Sequence, residues 1–380
     1  MHTADGERPP TTLQHVAALA RVSPKTASRA LNGERYVAPE TAARVLEAAR
    51  SVGYRVNAVA RDLRLGAAPP LVGFVSADLA NPFYSRLAAG VERELRPAGL
   101  LLVTVSSDED PDAERTAVAS LLDRGVRALV VASTSADQEH LEAARRPGTP
   151  LVMVDRAGAV PGADTVVLDN AAGAREVTAH LLARGAGRRA GGDGRRPHLA
   201  VVSDLRRLET GRARMEGVAR ALEDAGLPPL TAAQVREAHD AASAERAVAE
   251  LLAADPHPTG VLAMNNLLAT GAVRALARAG ALGACAVAGF DDVDLAGLVG
   301  LATVSYDAEE MGREVGRLVL ARVRGDEGPA RHVVVPTRLV VPPEEDGADG
   351  GADDRTDRGA DDRAPGHDRV TSLTSPTPRA

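Results

Sequence analysis

The stretch Val22–Asn32 combines a helix-start signal with side chains that donate hydrogen bonds. Ser23 can cap the free backbone N–H groups of a first helical turn, and Pro24 fits the first helical position, where its missing N–H costs nothing. Small apolar residues recur at helical spacing and predict one narrow buried face. The other faces carry groups that hydrogen-bond base edges and phosphates, namely Lys25, Thr26, Ser28, Arg29 and Asn32.

A helix this short needs neighbours to position it. A first helix is predicted over residues 12–20 and a third begins at Pro39, with Gly53 stopping it. Three short helices with a turn between the first two indicate a helix-turn-helix head over residues 1–56. The predicted inward residues are Leu13, Val16, Ala17 and Ala20 in the first helix, Ala27, Ala30 and Leu31 in the second, and Val45, Leu46, Ala49 and Val52 in the third.

The charge distribution separates this head from the rest of the chain. The 380 residues carry a formal net charge of −7, which by itself argues against a nucleic-acid partner. Residues 1–66, however, hold ten basic and six acidic residues, a net +4, whereas residues 344–380 hold five and ten, a net −5. A basic head on an acidic body steers one end of a protein toward DNA.

Residues 57–70 are predicted to be a hinge helix and linker, and a strand-helix alternation follows over 71–343. Such alternation is typical of parallel sheets covered by helices, and the number of strands favours two doubly wound lobes with a ligand cleft between them. Predicted strands begin near Leu71, Leu100, Arg127, Leu151, Thr165, His198, Thr259, Cys285 and Leu301, and predicted helices cover 84–98, 112–124, 137–145, 171–184, 209–225, 241–254, 266–279 and 308–324.

Polar and aromatic side chains follow several of these strands. Carboxylate, guanidinium and amide groups there can bind a hydroxyl-rich ligand through paired hydrogen bonds. The alternative is structural, because Asp and Asn after a strand also cap helices. The candidate ligand-binding residues are Asp78, Asn81, Phe83, Asp155, Arg214, Asn265, Asp291 and Tyr306; Phe290 can either stack on a ligand or pack in the core.

Other chemistry finds no support in the sequence. The histidines are scattered without ligand spacing, no glycine-rich phosphate loop follows the first strand, and no nucleophile elbow occurs, so we expect no metal, no cofactor and no catalytic residue. The single cysteine, Cys285, lies in an apolar run and is predicted to be buried. No signal peptide or membrane span is evident, which favours the cytoplasm. Gly185–Pro197 is predicted to be an exposed loop and 344–380 a disordered acidic tail.

Several motifs in one order resemble the LacI/GalR family of bacterial transcription regulators over Thr12–Val341. Thr12–Ala17 is similar to the family's opening helix, Val22–Gly33 to its recognition helix, and Gly53–Tyr54 with Asn57–Leu63 to its hinge. In the body, Asp78–Tyr84, Val154–Arg156 and Gly289–Asp292 are similar to family landmarks. The resemblance implies a helix-turn-helix head, a hinge helix and a two-lobed body like that of the periplasmic binding proteins.

The resemblance also implies roles for individual residues. Pro24 and Lys25 would face bases, and Arg29 would bind the O6 and N7 atoms of a guanine together. Leu63 of each hinge helix would wedge between base steps in the minor groove, with Asn57 at the groove edge. Thr26, Ser28, Asn32, Tyr36 and Tyr54 would hold phosphates or sugars, and Leu13 and Ser23 complete the predicted DNA-contacting set.

The implied protein is a homodimeric, sequence-specific repressor in the cytoplasm, associated with the nucleoid through DNA. A sugar or related metabolite between the lobes would control its affinity for double-stranded operator DNA, and Arg214 and Asp291 match the family's effector-binding positions. Two alternatives share a two-lobed body. A solute-binding protein would need export and no basic head, and an α/β sugar enzyme would need a phosphate loop or catalytic groups.

Overall fold

The computed structural model describes residues 12–34, 36–54, 68–135, 137–145, 148–158, 160–187, 198–292 and 296–342. Several predictions fall outside these ranges. They are the hinge with Asn57 and Leu63, the tail over 344–380, and residues 188–197 of the predicted loop. The helix before that loop extends to Gly187, three residues beyond its predicted end at Arg184.

Three helices form the head, α1 (Leu13–Leu19), α2 (Pro24–Leu31) and α3 (Pro39–Ser51). The hydroxyl of Thr12 caps α1, and the hydroxyl of Ser23 caps α2 by accepting from the Thr26 N–H at 3.1 Å. The core of the head consists of small side chains, as the scarcity of aromatic residues requires. Leu46 was predicted to point inward but is 40% exposed, because the buried face of α3 is formed by Val45, Ala48 and Ala49 and Leu46 lies beside it.

The N-lobe contains a six-stranded parallel sheet in the order β11-β5-β4-β3-β1-β2. Buried strands of Val, Leu and Ala alternate with helices that cover both faces. Its elements are β1 (Leu71–Ser76), α4 (Pro82–Leu95), β2 (Leu101–Ser106), α5 (Pro111–Asp123), β3 (Ala128–Val131), α6 (Glu139–Arg145), β4 (Leu151–Val154), β5 (Asp164–Leu168), α11 (Ala308–Val323) and β11 (His332–Val335).

The C-lobe repeats this arrangement with the strand order β12-β10-β9-β8-β6-β7. The two sheets therefore have the same topology, with β6, β8 and β9 in the places of β1, β3 and β4. Its elements are α7 (Asn170–Gly187), β6 (Leu199–Ser203), α8 (Glu209–Asp224), β7 (Val235–Glu237), α9 (Ala241–Ala253), β8 (Gly260–Ala263), α10 (Asn266–Arg278), β9 (Ala286–Phe290), β10 (Ala302–Ser305) and β12 (Arg338–Val340).

The chain passes between the lobes after β5, after β10 and after β11. The two doubly wound lobes confirm the predicted fold class, but three short strands, β7, β11 and β12, were missed. One of them, β12, pairs antiparallel with β10. The C-lobe sheet was predicted to be wholly parallel, and this edge strand is the exception. Helix α4 begins two residues earlier than predicted, because Asn81 caps it and Pro82 occupies its first position.

Helices α4 and α11 pack closely, and this contact places the beginning of α4 beside the end of β10. Gly90 of α4 lies against the backbone carbonyl of Glu309, where any Cβ would collide. Gly312 of α11 lies in the same way against the carbonyl of Leu87. The close approach brings Phe83, at the start of α4, near Tyr306, which follows β10. Within the described ranges, no helix combines the length and hydrophobicity of a membrane span.

Candidate functional site

Polar side chains at the carboxyl ends of strands from both sheets meet in one cavity between the lobes. Asp155 comes one residue after β4, and Asp291 one residue after β9. The structure brings together all eight side chains predicted to bind a ligand. Asp78, Asn81, Phe83, Asp155, Arg214, Asn265, Asp291 and Tyr306 line this cavity.

Seven further residues line the same cavity and were not in the predicted set. Some could have been found from the register of strand ends, since Asp204 follows β6 directly and Arg156 follows Asp155. Glu109 gave no such signal, because it lies in an irregular turn beyond β2. The seven residues are Tyr84, Glu109, Arg156, Asp204, Thr210, His239 and Leu267.

On the N-lobe side, Asp155 is buried and holds a left-handed backbone conformation with φ +69°. The Tyr84 hydroxyl donates to Asp155 Oδ2 at 2.9 Å. Arg156 is held by two hydrogen bonds to the Glu109 carboxylate, at 2.5 and 3.0 Å. Burial and the charge of Asp155 raise the pKa of Tyr84 well above its ordinary value, so its hydroxyl remains a donor.

On the C-lobe side, Asp291 repeats this geometry with φ +69° and accepts from the Tyr306 hydroxyl at 2.7 Å. Arg214 lies 3.7 Å from Asp291 Oδ1 and donates from Nε to Asn170 Oδ1 at 2.8 Å. Its guanidinium stacks 3.8 Å above the ring centroid of Phe290, which is fully buried. Burial raises the pKa of Asp291, although Arg214 and Tyr306 act in the opposite direction.

The left-handed conformation of both aspartates is costly for a side-chain-bearing residue, about 1 kcal/mol or more each. Such strain persists where the surrounding structure fixes it, and it clusters at functional sites. Here it turns each carboxylate out of its strand and toward the cavity that both residues line.

Phe83 joins the two sides. Its ring packs edge-on against Tyr84 at 4.9 Å between centroids, and against Tyr306 at 5.8 Å. Because Tyr84 and Tyr306 each donate to one of the two strained aspartates, Phe83 bridges both tyrosine–aspartate pairs. This contact explains the position of Phe83 on the cavity wall without excluding stacking on a ligand.

The amide side chains serve as helix caps, as the structural alternative proposed. Asn81 Oδ1 accepts from the Phe83 N–H at 3.0 Å, and Asn265 Oδ1 accepts from the Leu268 N–H at 2.8 Å. Each amide also has a second bond that a cap does not require. Asn81 Oδ1 accepts across the lobes from Asn266 Nδ2, and Asn265 Nδ2 donates to Asp204 Oδ2, both at 2.9 Å.

The cavity as it stands has a volume of about 40 Å³. Typical small-molecule pockets measure roughly 300–1,000 Å³, so a monosaccharide enters only if the lobes separate. Bonds between the lobes oppose that separation, including two from Arg207 to backbone carbonyls of the N-lobe. The site is thus a closed cleft whose ligand access depends on lobe movement.

In the head, most of the predicted DNA-contacting side chains lie on the surface. Tyr36 is 92% exposed, and Arg29 is paired loosely with Glu34 at 3.4 Å. Leu13 and Tyr54 are partly buried against the core of the head, which leaves a smaller part of each available. Ser23, Pro24, Lys25 and Asn32 are exposed, and Thr26 and Ser28 are half-buried.

Cys285 is buried, as predicted. Over the described part of the chain, no group of three or more His, Cys, Asp or Glu side chains is arranged to hold a metal ion.

Comparisons with known proteins agree with this architecture. The family of periplasmic binding proteins and sugar-binding domains of the LacI family matches residues 70–341, and that of the bacterial regulatory proteins, lacI family, matches residues 12–57. The HTH-type transcriptional regulator PtxS of Pseudomonas aeruginosa is 31% identical over 87% of this chain and 94% of its own. The ribose operon repressor of Escherichia coli is 28% identical over 82% of this chain and 93% of its own.

Two solved structures extend the likeness. The Lac repressor bound to ONPG is 25% identical, with a TM-score of 0.72 over 87% of this chain and 98% of that one. The transcriptional regulator CelR in complex with cellobiose is 26% identical, with a TM-score of 0.63 over 87% of this chain and 99% of that one.

The fold and the comparisons define a two-lobed, periplasmic-binding-protein-like body joined to a helix-turn-helix head. The chain belongs to the LacI family of bacterial regulatory proteins. It is a DNA-binding transcriptional regulator with a LacI-type sugar-binding domain, which confirms the predicted family.

Proposed function

We propose that this regulator is a repressor whose affinity for a DNA operator is controlled by an uncharged, sugar-like effector bound in the cavity between the lobes. The observation that carries the proposal is the meeting of eight predicted ligand-binding side chains from both lobes in that one cavity. A ligand held by both lobes binds one lobe arrangement more tightly than another. Only this difference in affinity can shift the fraction of molecules that bind DNA.

The charges on the cavity wall favour an uncharged effector over a sugar acid or sugar phosphate. Both arginines of the wall are already engaged, Arg156 by Glu109 and Arg214 by Asn170 and Asp291. Carboxylates outnumber them, since Asp78, Glu109, Asp155, Asp204 and Asp291 all line the cavity. An anion would meet net negative charge in a poorly solvated site, whereas sugar hydroxyls can donate to these carboxylates.

Helix α2 supports the DNA-reading part of the proposal. Lys25 and Arg29 stand exposed on the helix that follows the turn, and their only rival partner among the described residues of the head is Glu34 beside Arg29. An exposed ion pair of this kind contributes little to stability. Arg29 can therefore leave Glu34 and bind a guanine at little cost in free energy. Thr26, Ser28, Asn32, Tyr36 and Tyr54 are proposed to hold the backbone, with Leu13 and Ser23 at its edge.

Two copies of the chain are proposed to bind a near-palindromic operator, with a hinge helix from each in the minor groove. The hinge role of Asn57 and Leu63 rests on the family resemblance. We also infer that the protein acts in the cytoplasm at the nucleoid and that it turns over no substrate, since the relatives compared are regulators. Export as a solute-binding protein is disfavoured by the helix-turn-helix head.

The experiment that tests the proposal is selection of binding sites by the full chain from a randomised pool of double-stranded DNA, at two salt concentrations. We expect a near-palindromic sequence to be enriched, with affinity that falls steeply as salt rises. In Arg29→Ala, the enriched sequences should lose the base preference at one position of each half-site. Recovery of no sequence preference by the wild-type chain, with and without a panel of neutral sugars, would contradict the assignment of α2 as the reading helix.

A further inference from the structure

Two consecutive arginines in the loop between β6 and α8 bond to different lobes. Arg206 pairs with Glu237 of its own lobe at 3.6 Å. Arg207 instead reaches the N-lobe, where its Nη1 donates to the Thr134 carbonyl at 2.9 Å and its Nη2 to the Glu109 carbonyl at 2.7 Å. We propose that Arg207 is a positioning residue that closes the two lobes over the cavity and fixes Arg156 on the cavity wall.

The Glu109 carbonyl, one of the two acceptors of Arg207, lies in a strained turn. Asp108 and Glu109 are both left-handed, with φ of +50° and +59°, a conformation that is uncommon for residues other than glycine. The Glu109 N–H donates to the Ala77 carbonyl at 2.9 Å, and Arg207 holds the Glu109 carbonyl. The Glu109 carboxylate in turn holds Arg156 by two bonds. Arg207 therefore acts on Arg156 through the backbone of Glu109.

The Thr134 carbonyl, the other acceptor of Arg207, belongs to a firmly anchored loop. The Thr134 N–H and hydroxyl donate to the fully buried Glu114, at 2.5 and 3.0 Å. Glu114 also accepts from the Ser133 hydroxyl and contacts His140 Nε2, both at 2.9 Å. A carbonyl fixed in this way is a rigid acceptor for a group that arrives from the other lobe.

Arg156 bonds to the same two segments from within the N-lobe. Its Nη1 donates to the Ser133 carbonyl at 3.1 Å and to Glu109 at 3.0 Å. Arg207 from the C-lobe and Arg156 from the N-lobe thus both donate to the turn at Glu109 and to the loop at residues 133–134. When the lobes part, the Arg207 bonds break, and the turn that orients Arg156 loses one of its supports.

The planar fork of arginine suits this task, because it offers two donors in fixed directions to two carbonyls. Lysine carries its donors on a single nitrogen at the end of a flexible stem, so they are not held in fixed directions. The position is separate from the ligand-binding side chains described above, since Arg207 does not line the cavity. This inference rests on the proposed function only in taking that cavity as the effector site.

Hydrogen exchange of the full chain, read by mass spectrometry, tests the proposal. We compare Arg207→Ala with Arg206→Ala, its neighbour whose partner lies within the C-lobe. Exchange in peptides covering 107–110 and 133–135 should rise about tenfold in Arg207→Ala and stay at the wild-type rate in Arg206→Ala. Arg207→Lys should fall between the two.

Equal exchange of the two N-lobe peptides in Arg207→Ala and Arg206→Ala would overturn the proposal. Should Arg207→Ala fail to fold, Arg207→Gln and Arg207→Lys carry the same comparison. The outcome is independent of DNA reading. If exchange in the N-lobe peptides is unchanged in Arg207→Ala but the full chain selects an operator, only the role of Arg207 is contradicted. If exchange rises as expected but no operator is selected, the role of Arg207 in lobe closure stands and the proposed function is contradicted.

Discussion

Asp155 and Asp291 occupy equivalent places in two different sheets and share one backbone conformation. Each follows the third strand of its sheet order by one residue, each has φ +69°, and each accepts a tyrosine hydroxyl, at 2.9 and 2.7 Å. The charge of Asp155 contributes, after burial, to the raised pKa of Asp291. The cleft is therefore built around two matched carboxylates, one from each lobe, that a hydroxyl-rich ligand can address together.

Removing either tyrosine hydroxyl should destabilise the fold. Tyr84→Phe and Tyr306→Phe each remove a hydroxyl donor from a buried carboxylate, and we expect a loss of about 1–2 kcal/mol in the free energy of unfolding. Urea unfolding followed by circular dichroism measures this loss. Tyr36→Phe is the matched control, because Tyr36 is 92% exposed and its change should be negligible. Wild-type stability in both cleft variants would show that these bonds contribute nothing.

Arg29→Ala should weaken operator binding by about 1–3 kcal/mol and relax the preference at one base pair of each half-site, because a bidentate contact to guanine is lost. Anisotropy of a labelled operator and of its single-base variants measures both effects. Arg44→Ala is the control, since Arg44 is an exposed arginine of α3 outside the predicted contact set. A uniform loss across all sequences would instead assign Arg29 to phosphate binding.

Glu209 should make the stability of the protein depend on pH. Burial, aided by the charge of Asp155 in the other lobe, raises the pKa of Glu209 in the folded state. A carboxyl group with a raised folded-state pKa destabilises the fold above that pKa, and the penalty disappears as the pH falls to the ordinary glutamate range. Glu209→Gln should therefore be more stable than wild type at pH 7, with a difference that shrinks toward pH 4.

Urea unfolding at several pH values checks this expectation. Glu216→Gln, an exposed residue of the same helix paired with Arg220, controls for the loss of one charge. If the difference between Glu209→Gln and wild type is constant from pH 7 to pH 4, Glu209 does not titrate in the folded protein as proposed.

The sequence was sufficient to locate residues on both sides of the cavity. Asp155 and Asp291 could be found because a polar residue directly after a buried apolar run must lie at the carboxyl end of a parallel strand. Arg214 was found through the family resemblance. The double role of Asn81 and Asn265, as caps and as bonds toward the cavity, follows from the same placement.

Other parts of the site depend on contacts between residues far apart in the chain. Tyr84 falls on an apolar helix face that predicts core packing, and only the fold shows that its hydroxyl meets Asp155. Glu109 lies in a turn of two left-handed residues, and neither is a glycine that would have indicated a left-handed turn from the sequence. Strands β11 and β12 were missed because each is short and half-exposed. Their partners, β5 and β10, also come much earlier in the chain, so no local pattern indicates the pairing.

Control of DNA binding by this cavity is tested most directly by operator affinity measured against a panel of uncharged sugars and their acid and phosphate forms. The comparison uses the wild-type chain and Asp291→Asn. We expect at least one uncharged sugar to change wild-type operator affinity by about tenfold or more, within the range of typical allosteric coupling. Its charged forms should act weakly, and Asp291→Asn should bind the operator normally without responding. A response of Asp291→Asn equal to that of wild type would contradict the claim that this cavity controls DNA binding.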